Sequence, residues 1–340
     1  MKAIGLTRYL PIKDPESLVD LEIPKPVPTG HDILVSVKAI SVNPIDVKVR
    51  APKDTIEENP RILGWDASGV VEAVGNDVTL FKVGDEVYYA GDINRTGSYS
   101  EYQLVDERIV GFKPTTMSFP QAAALPLTTI TAYEAFFDRL HIDLNDKNKN
   151  NSEKTLLIIG GAGGVGSIGI QLAKAAKLNV IATASRPETI TWVKERGADH
   201  VINHHEPLRP QIEAIGLSHV DYIAVFNNTD YHWDSVTDLI CPQGAIVSIV
   251  ENTKPLNQEN MKTKSVTFSW EFMFTRSMFK TPDMIEQNKL LNWIAQEIDE
   301  SHIHTTLNSV FSPINSANLR KVHALIETGK AKGKIVLEGW

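Results

Sequence analysis

The stretch Thr155-Leu156-Leu157-Ile158-Ile159-Gly160-Gly161-Ala162-Gly163-Gly164-Val165-Gly166 decides the fold, because an apolar strand-forming run breaks into glycines and then opens a helix. Gly161, Gly163 and Gly166 fit the spacing G-x-G-x-x-G. In that pattern one glycine allows a tight turn, one lets the backbone approach a pyrophosphate, and one lets the helix pack closely on the sheet. After Gly164, the residues Val165, Ile168, Gly169, Leu172, Ala173 and Ala176 recur at helical spacing. The amides at the start of that helix are therefore expected to face phosphates. Glycine-rich turns are common; the strand before this one and the helix after it give it meaning.

The next strand is expected at Asn179-Val180-Ile181-Ala182-Thr183-Ala184-Ser185, and its end is where an acidic residue takes the adenosine ribose hydroxyls in an NAD enzyme. No acid stands there. Ser185 lies 19 residues beyond Gly166, Arg186 follows, and the nearest carboxylate is Glu188. A hydroxyl beside a guanidinium suits a 2′-phosphate, which a carboxylate would repel. The expected cofactor is therefore NADPH rather than NADH; the alternative is that Arg186 merely solvates a loop.

At 340 residues, 42% apolar and 22% charged, the chain has material for two domains and a large core. A formal charge of −8 argues against an electrostatic grip on nucleic acid or anionic membranes. One cysteine, Cys241, excludes an internal disulfide and any Cys-rich metal site, in keeping with a reducing, cytoplasmic location. The start, Met1-Lys2-Ala3-Ile4-Gly5-Leu6-Thr7, lacks the apolar core of a secretory signal, and no run of apolar residues is long enough to span a membrane.

Residues 1–128 read as short strands broken by turns, with strands expected at Asp32–Ala39, Ser68–Val74, Glu86–Ala90 and Tyr99–Val105. From Thr129 strands and helices alternate, with strands starting at Thr155 and Val180 and spanning His200–Ile202, Val220–Phe226, Ala245–Val250 and Ser265–Phe272. That alternation describes an α/β fold with a doubly wound parallel sheet. Asn145–Ser152 is polar and of low complexity, an expected exposed loop. Amphipathic helices are expected at Pro282–Glu300 and Asn318–Thr328, ahead of a last strand at Lys334–Glu338.

Four further phrases join the glycine loop: Ser41-Val42-Asn43-Pro44-Ile45-Asp46, Gly64-Trp65-Asp66-Ala67-Ser68-Gly69-Val70-Val71, Gly97-Ser98-Tyr99-Ser100-Glu101-Tyr102, and Gly329-Lys330-Ala331-Lys332-Gly333-Lys334-Ile335-Val336-Leu337. In this order and spacing the whole chain resembles the medium-chain dehydrogenase/reductase superfamily, nearest its quinone oxidoreductase branch and bacterial proteins labelled zinc-type alcohol dehydrogenase-like. The resemblance implies a mostly β GroES-like catalytic domain (1–128 and 273–340), a Rossmann NADP-binding domain (129–272), and an active site in the cleft between them. Zinc-dependent relatives hold the metal with a Cys, a His beside a Glu, and a later Cys or Asp. By motif register this chain has Asn43, Trp65 beside Asp66, and Leu127. An amide, an indole and an aliphatic side chain cannot supply thiolate or imidazole ligands. No zinc is expected.

Without a Lewis acid, hydride donation to a quinone or an α,β-unsaturated carbonyl is easier than alcohol oxidation. The resemblance places Asn43 in the cleft as a candidate oxyanion donor, with Asp46 ordering the loop and Lys48 standing where several quinone oxidoreductases carry Tyr. It also implies Thr131 beside the nicotinamide, backbone groups near Phe226 and Val250 at the ring edge, Lys334 approaching the cofactor, and His204 near the 2′-phosphate. Trp65, Trp270 and Phe274 suggest room for a flat apolar substrate. Ser265–Phe274 is too apolar for an uncovered edge strand, so a homodimer is expected. The rival readings are a zinc alcohol dehydrogenase, an enoyl-thioester reductase, and a nucleotide-binding sensor without catalysis.

Overall fold

The computed structural model describes residues 1–147 and 150–340. The chain divides into two compact units, Met1–Ile130 with Phe274–Trp340, and Thr131–Met273.

In the second unit the run Thr155–Ile159 is a strand buried at every position. It lies inside a six-stranded, all-parallel sheet of spatial order His200–Ile202, Asn179–Thr183, Thr155–Ile159, Val220–Val225, Ile240–Ser248, Thr267–Trp270. Numbered along the sequence this is 3-2-1-4-5-6, the dinucleotide-binding order, in which ligands sit beyond the strand ends where the order reverses. The reversal falls at Thr155–Ile159, the strand that feeds the glycine loop. Leu157, Ile181, Ile223 and Ile246 form the core of the sheet with Ile212 and Val236 from the flanking helices. Such strands are apolar throughout because helices cover both faces.

The first unit is mostly β. A seven-stranded sheet is built around the long strand Asp32–Val42, which pairs antiparallel with Ala67–Val74, Tyr102–Asp106 and the last strand, Lys334–Glu338. A three-stranded sheet of Val19–Glu22, Lys2–Tyr9 and Lys53–Ile62 completes it. The Ile335↔Val42 register brings the start of the last strand beside Asn43, residues nearly 300 apart in sequence.

Several boundaries differ from expectation. The strand expected from Ser265 spans only Thr267–Trp270, and the helix expected from Pro282 starts at Glu286. Lys53–Ile62 is a strand that its polar composition conceals, stabilised by pairing with Lys2–Tyr9 rather than by its own pattern. Of the expected loop Asn145–Ser152, Asn148 and Lys149 lie outside the described residues. The rest is not simply exposed. Asn151 is buried, donating from Nδ2 to the carbonyls of Asp143 (2.7 Å) and Ala176 (2.8 Å), so this polar segment stitches the entry to the first core strand.

Candidate active site

The glycine loop leaves the sheet at Gly160, whose φ of +89° favours glycine. It is tied down by Gly160 N–H to Thr183 Oγ1 (2.9 Å) and Gly161 N–H to the Thr183 carbonyl (3.2 Å). The three fingerprint glycines do different work. A Cβ on Gly166 would lie 2.3 Å from the Gly160 carbonyl, and one on Gly161 would lie 2.8 Å from Ala182 Cβ; both positions require glycine for packing. A Cβ on Gly163 would meet only the Gly160 carbonyl, at 3.5 Å. Gly163 therefore keeps its outer face clear although nothing in the protein demands it. Gly163 caps the helix Gly164–Ala175 without a side-chain bond, and the amides of Gly164, Val165 and Gly166 in its first turn have no acceptor within the helix. Clear backbone and outward amides fit a dinucleotide pyrophosphate.

Around this loop, Ser185 and Arg186 are half-buried after the Asn179–Thr183 strand. Arg186 Nε contacts Glu188 Oε1 at 3.1 Å, so the nearest carboxylate pairs with the guanidinium. At 36% and 55% side-chain exposure such a pair is worth about 0–1 kcal/mol, little enough for a phosphate to compete with it. His204 follows the His200–Ile202 strand. Phe226 directly follows Val220–Val225 and stacks on Phe136 with ring centroids 6.0 Å apart. The carbonyl of Val250 accepts from Thr229 Oγ1 at 2.5 Å. Thr131 is buried in the helix Pro126–Tyr133. Near the sheet edge, burial and the neighbouring Glu134 carboxyl push the Glu271 carboxyl upward, while Arg139 Nε donates to Glu271 Oε2 at 2.8 Å.

In the first unit, the structure gathers Asn43, Asp66 and Lys334 in one fully buried polar cluster that sequence reasoning did not assemble. Lys334 Nζ donates to Asn43 Oδ1, to Asp66 Oδ2 (3.0 Å) and to the Val42 carbonyl (3.4 Å). Asn43 Nδ2 donates to Asp66 Oδ2 at 2.8 Å, and the Leu127 amide donates to Asp66 Oδ1 at 2.8 Å. Burial raises the Asp66 carboxyl's pKa, and the Lys334 ammonium opposes that rise. The Gly-Trp-Asp phrase and the distant Gly-Lys-Ile-Val-Leu phrase carry the two charges, but only the strand register makes them a pair.

This geometry corrects several expectations. Lys334 is 3% exposed and spends its ammonium within its own unit, so it is not an open cofactor contact. Asn43 is 0% exposed with both ends of its amide engaged, an arrangement that positions Asp66 and Lys334 rather than presenting a donor. Trp65 and Phe274 are buried and pack edge-on at 6.0 Å as core, whereas Trp270 lies in the other unit, 46% exposed. Asp46 accepts from the Asn43 amide (2.7 Å) and from Tyr99 Oη (3.1 Å), which also contacts His323 Nε2 (3.0 Å). With Asp46 Oδ1 unpartnered, burial pushes this carboxyl up to about 7. Of the three expected catalytic residues, Lys48 alone is exposed, on the helix Pro44–Arg50.

The donor set at these positions does not fit a tetrahedral zinc. Asn43, Trp65 and Leu127 offer no thiolate or imidazole, and the adjacent Asp66 already takes an ammonium, an amide and a backbone N–H. Among the described residues, the only cluster of three close metal-ligating side chains is Glu297, Glu300 and His302, on the surface.

Residues 29–115 match the alcohol dehydrogenase GroES-like domain, and residues 164–290 match the family described as zinc-binding dehydrogenase. A Staphylococcus aureus zinc-type alcohol dehydrogenase-like protein is 46% identical over 99% of both chains. The chain belongs to the medium-chain dehydrogenase/reductase superfamily. It is thus an oxidoreductase by family, with a fold that binds a nicotinamide cofactor. Among solved structures, a Rhizobium etli protein named as a zinc-dependent alcohol dehydrogenase matches with a TM-score of 0.94 and 52% identity over 100% of this chain and 98% of that one. Escherichia coli quinone oxidoreductase complexed with NADPH matches at 0.80 and 25% identity, over 99% and 100%. Among the described residues, no helix is long and apolar enough to cross a membrane.

Proposed function

We propose that this protein is a zinc-independent reductase that uses NADPH to deliver hydride to a quinone or an α,β-unsaturated carbonyl. The observation that carries the reading is the Asn43–Asp66–Lys334 cluster, where an ammonium and hydrogen bonds occupy the carboxylate beside the positions at which zinc-dependent relatives hold their metal. Without a metal to acidify an alcohol, the feasible chemistry is reduction of an acceptor whose own conjugation takes up the charge.

A bound reduced nicotinamide supplies the hydride. The outward amides of Gly164, Val165 and Gly166 hold the pyrophosphate, and the open face of Gly163 lets it approach. Ser185 and Arg186 take the 2′-phosphate, Thr131, Phe226 and Val250 edge the ring, and the NADPH bound by the E. coli relative is in keeping with that preference. We assign charge stabilisation and proton delivery at the acceptor's oxygen to Lys48, the exposed member of the expected trio, with Asn43 as a positioning residue. The edge strand, with Trp270 at its end 46% exposed and Phe272 just beyond it 42% exposed, supports pairing with a second copy, and the single cysteine suits the cytoplasm.

The test is NADPH oxidation across a panel of quinones, enones and alcohols, with Lys48→Met and Arg186→Ala. Lys48→Met should lower kcat about 10²-fold or more with little change in NADPH affinity. Arg186→Ala should weaken NADPH by one to two orders of magnitude, roughly 1.5–3 kcal/mol, and spare NADH. Turnover confined to alcohols, or none with any acceptor, rejects the reading.

A further inference from the structure

At the C-terminal edge of the parallel sheet, three imidazoles pack together in a way that the reductase reading does not require. His204 lies 4.4 Å from His205 and 6.5 Å from His232, ring centroid to ring centroid. His205 is exposed, His204 half-buried, and His232, in the first turn of the helix Thr229–Leu239, is 4% exposed. Among the described residues none of the three rings has a hydrogen-bond partner, and the Nδ1 of His204 is buried without one. An unmet buried ring nitrogen such as His204 Nδ1 is costly, so its retention calls for a partner.

The charged neighbours indicate what that partner is. The groups acting on His204 are His205 and Arg186, and those acting on His232 are the other two imidazoles. From the remaining elements, Glu188 is paired to Arg186, Asp230 is turned away to Thr253, Tyr231 stacks edge-on against His232, and Glu206 is exposed next to His205. Burial and the neighbouring cationic groups hold His204 below its ordinary range and His232 at about 4, so these two rings are neutral when the site is empty. The three rings do not bring ligand atoms within a metal's reach of one another, and the Arg186 guanidinium repels a cation. Arg186, His204 and His205 follow two adjacent strands at their C-terminal ends, and His232 opens the helix after a third, all at the ligand-binding edge of the parallel sheet.

We propose that His204, His205 and His232, together with Arg186, form a receptor for a phosphomonoester dianion, the 2′-phosphate of NADPH, that takes up a proton as it binds. This rests on the NADPH reading above and adds to it two residues, His205 and His232, and a direction of proton flow. A dianion beside neutral imidazoles favours their protonated form. A phosphomonoester with a second pKa of about 6 instead sheds protons when bound as a dianion. The signs oppose, so net uptake reports the imidazoles.

The test is calorimetric titration of the full-length protein with NADPH and with NADH at pH 7, in buffers of different ionisation enthalpy. The expected result is uptake of a substantial fraction of one proton with NADPH and none with NADH. His204→Asn and the exposed-site variant His205→Asn should each reduce the uptake and weaken NADPH severalfold or more, leaving NADH unchanged; His232→Gln should do the same if it folds. If NADPH binds more tightly than NADH but with no uptake, or with release, the receptor is refuted while the cofactor preference stands. Uptake unchanged in both His204→Asn and His205→Asn also refutes it. If NADPH binds no more tightly than NADH between pH 6 and 8, the preference itself fails, and the receptor with it.

Discussion

Removing the Lys334 ammonium should unfold the first unit more readily, and more so as pH rises. In Lys334→Met the methionine keeps most of the volume, but Asp66, 0% exposed, retains only the Asn43 amide and the Leu127 N–H as partners. Breaking a buried pair by deleting one partner costs about 3–5 kcal/mol. For a unit of about 200 residues, at roughly 2–4 °C per kcal/mol, the melting temperature should fall by about 6–20 °C. The sign of the pH dependence follows from Asp66. Its folded pKa is already raised, and loss of Lys334 raises it further above the unfolded value. The folded variant then binds more protons than the unfolded chain, so stability is greatest in acid and is lost as pH rises through the folded pKa. Scanning calorimetry at pH 5.5, 7 and 8.5 reads this directly. Lys334→Met with Asp66→Asn, which removes the orphaned charge, should recover much of the loss. A single variant that melts within about 2 °C of wild type at every pH would refute the claim that this pair is a buried cross-link.

Two further outcomes separate the roles of nearby residues. Gly163→Ala should melt close to wild type, since its Cβ meets only one carbonyl at 3.5 Å, yet weaken NADPH at least tenfold in fluorescence titration; Gly166→Ala, with 2.3 Å to a carbonyl, should lose both stability and binding. Asp46, raised to about 7 when folded, weakens the fold as pH rises from about 4 through 7, so Asp46→Asn, which can still accept from Tyr99, should gain more melting temperature relative to wild type at pH 8 than at pH 5.

How much of this was legible beforehand depended on the range of the signal. The glycine loop, its flanking strand and helix, and the missing acid after Thr183 are local, and a doubly wound parallel sheet follows from strand–helix alternation, whereas its 3-2-1-4-5-6 order is set by pairing that alternation leaves open. Lys53–Ile62 was not legible because long-range pairing, not its composition, makes it a strand. The candidate site failed in the same way. Asn43, Asp66 and Lys334 were each noticed, but that one ammonium binds both partners depends on a register between residues 42 and 335. Trp65 and Phe274 read as pocket walls because an aromatic carries no mark that separates a wall from a core. Of the histidines, only His204 has a role that the family resemblance implies, near the 2′-phosphate; its packing with His205 and His232 is not legible in the sequence. His232 is brought in by a helix nearly 30 residues beyond His204.

The central claim, hydride transfer from NADPH to an activated acceptor without zinc, is tested most directly by assaying protein dialysed against a chelator while its zinc is measured by elemental analysis. The account predicts well under one zinc per chain and undiminished NADPH oxidation with a quinone or enone. About one zinc per chain, with activity that is lost on its removal and restored by adding it back, would contradict the account.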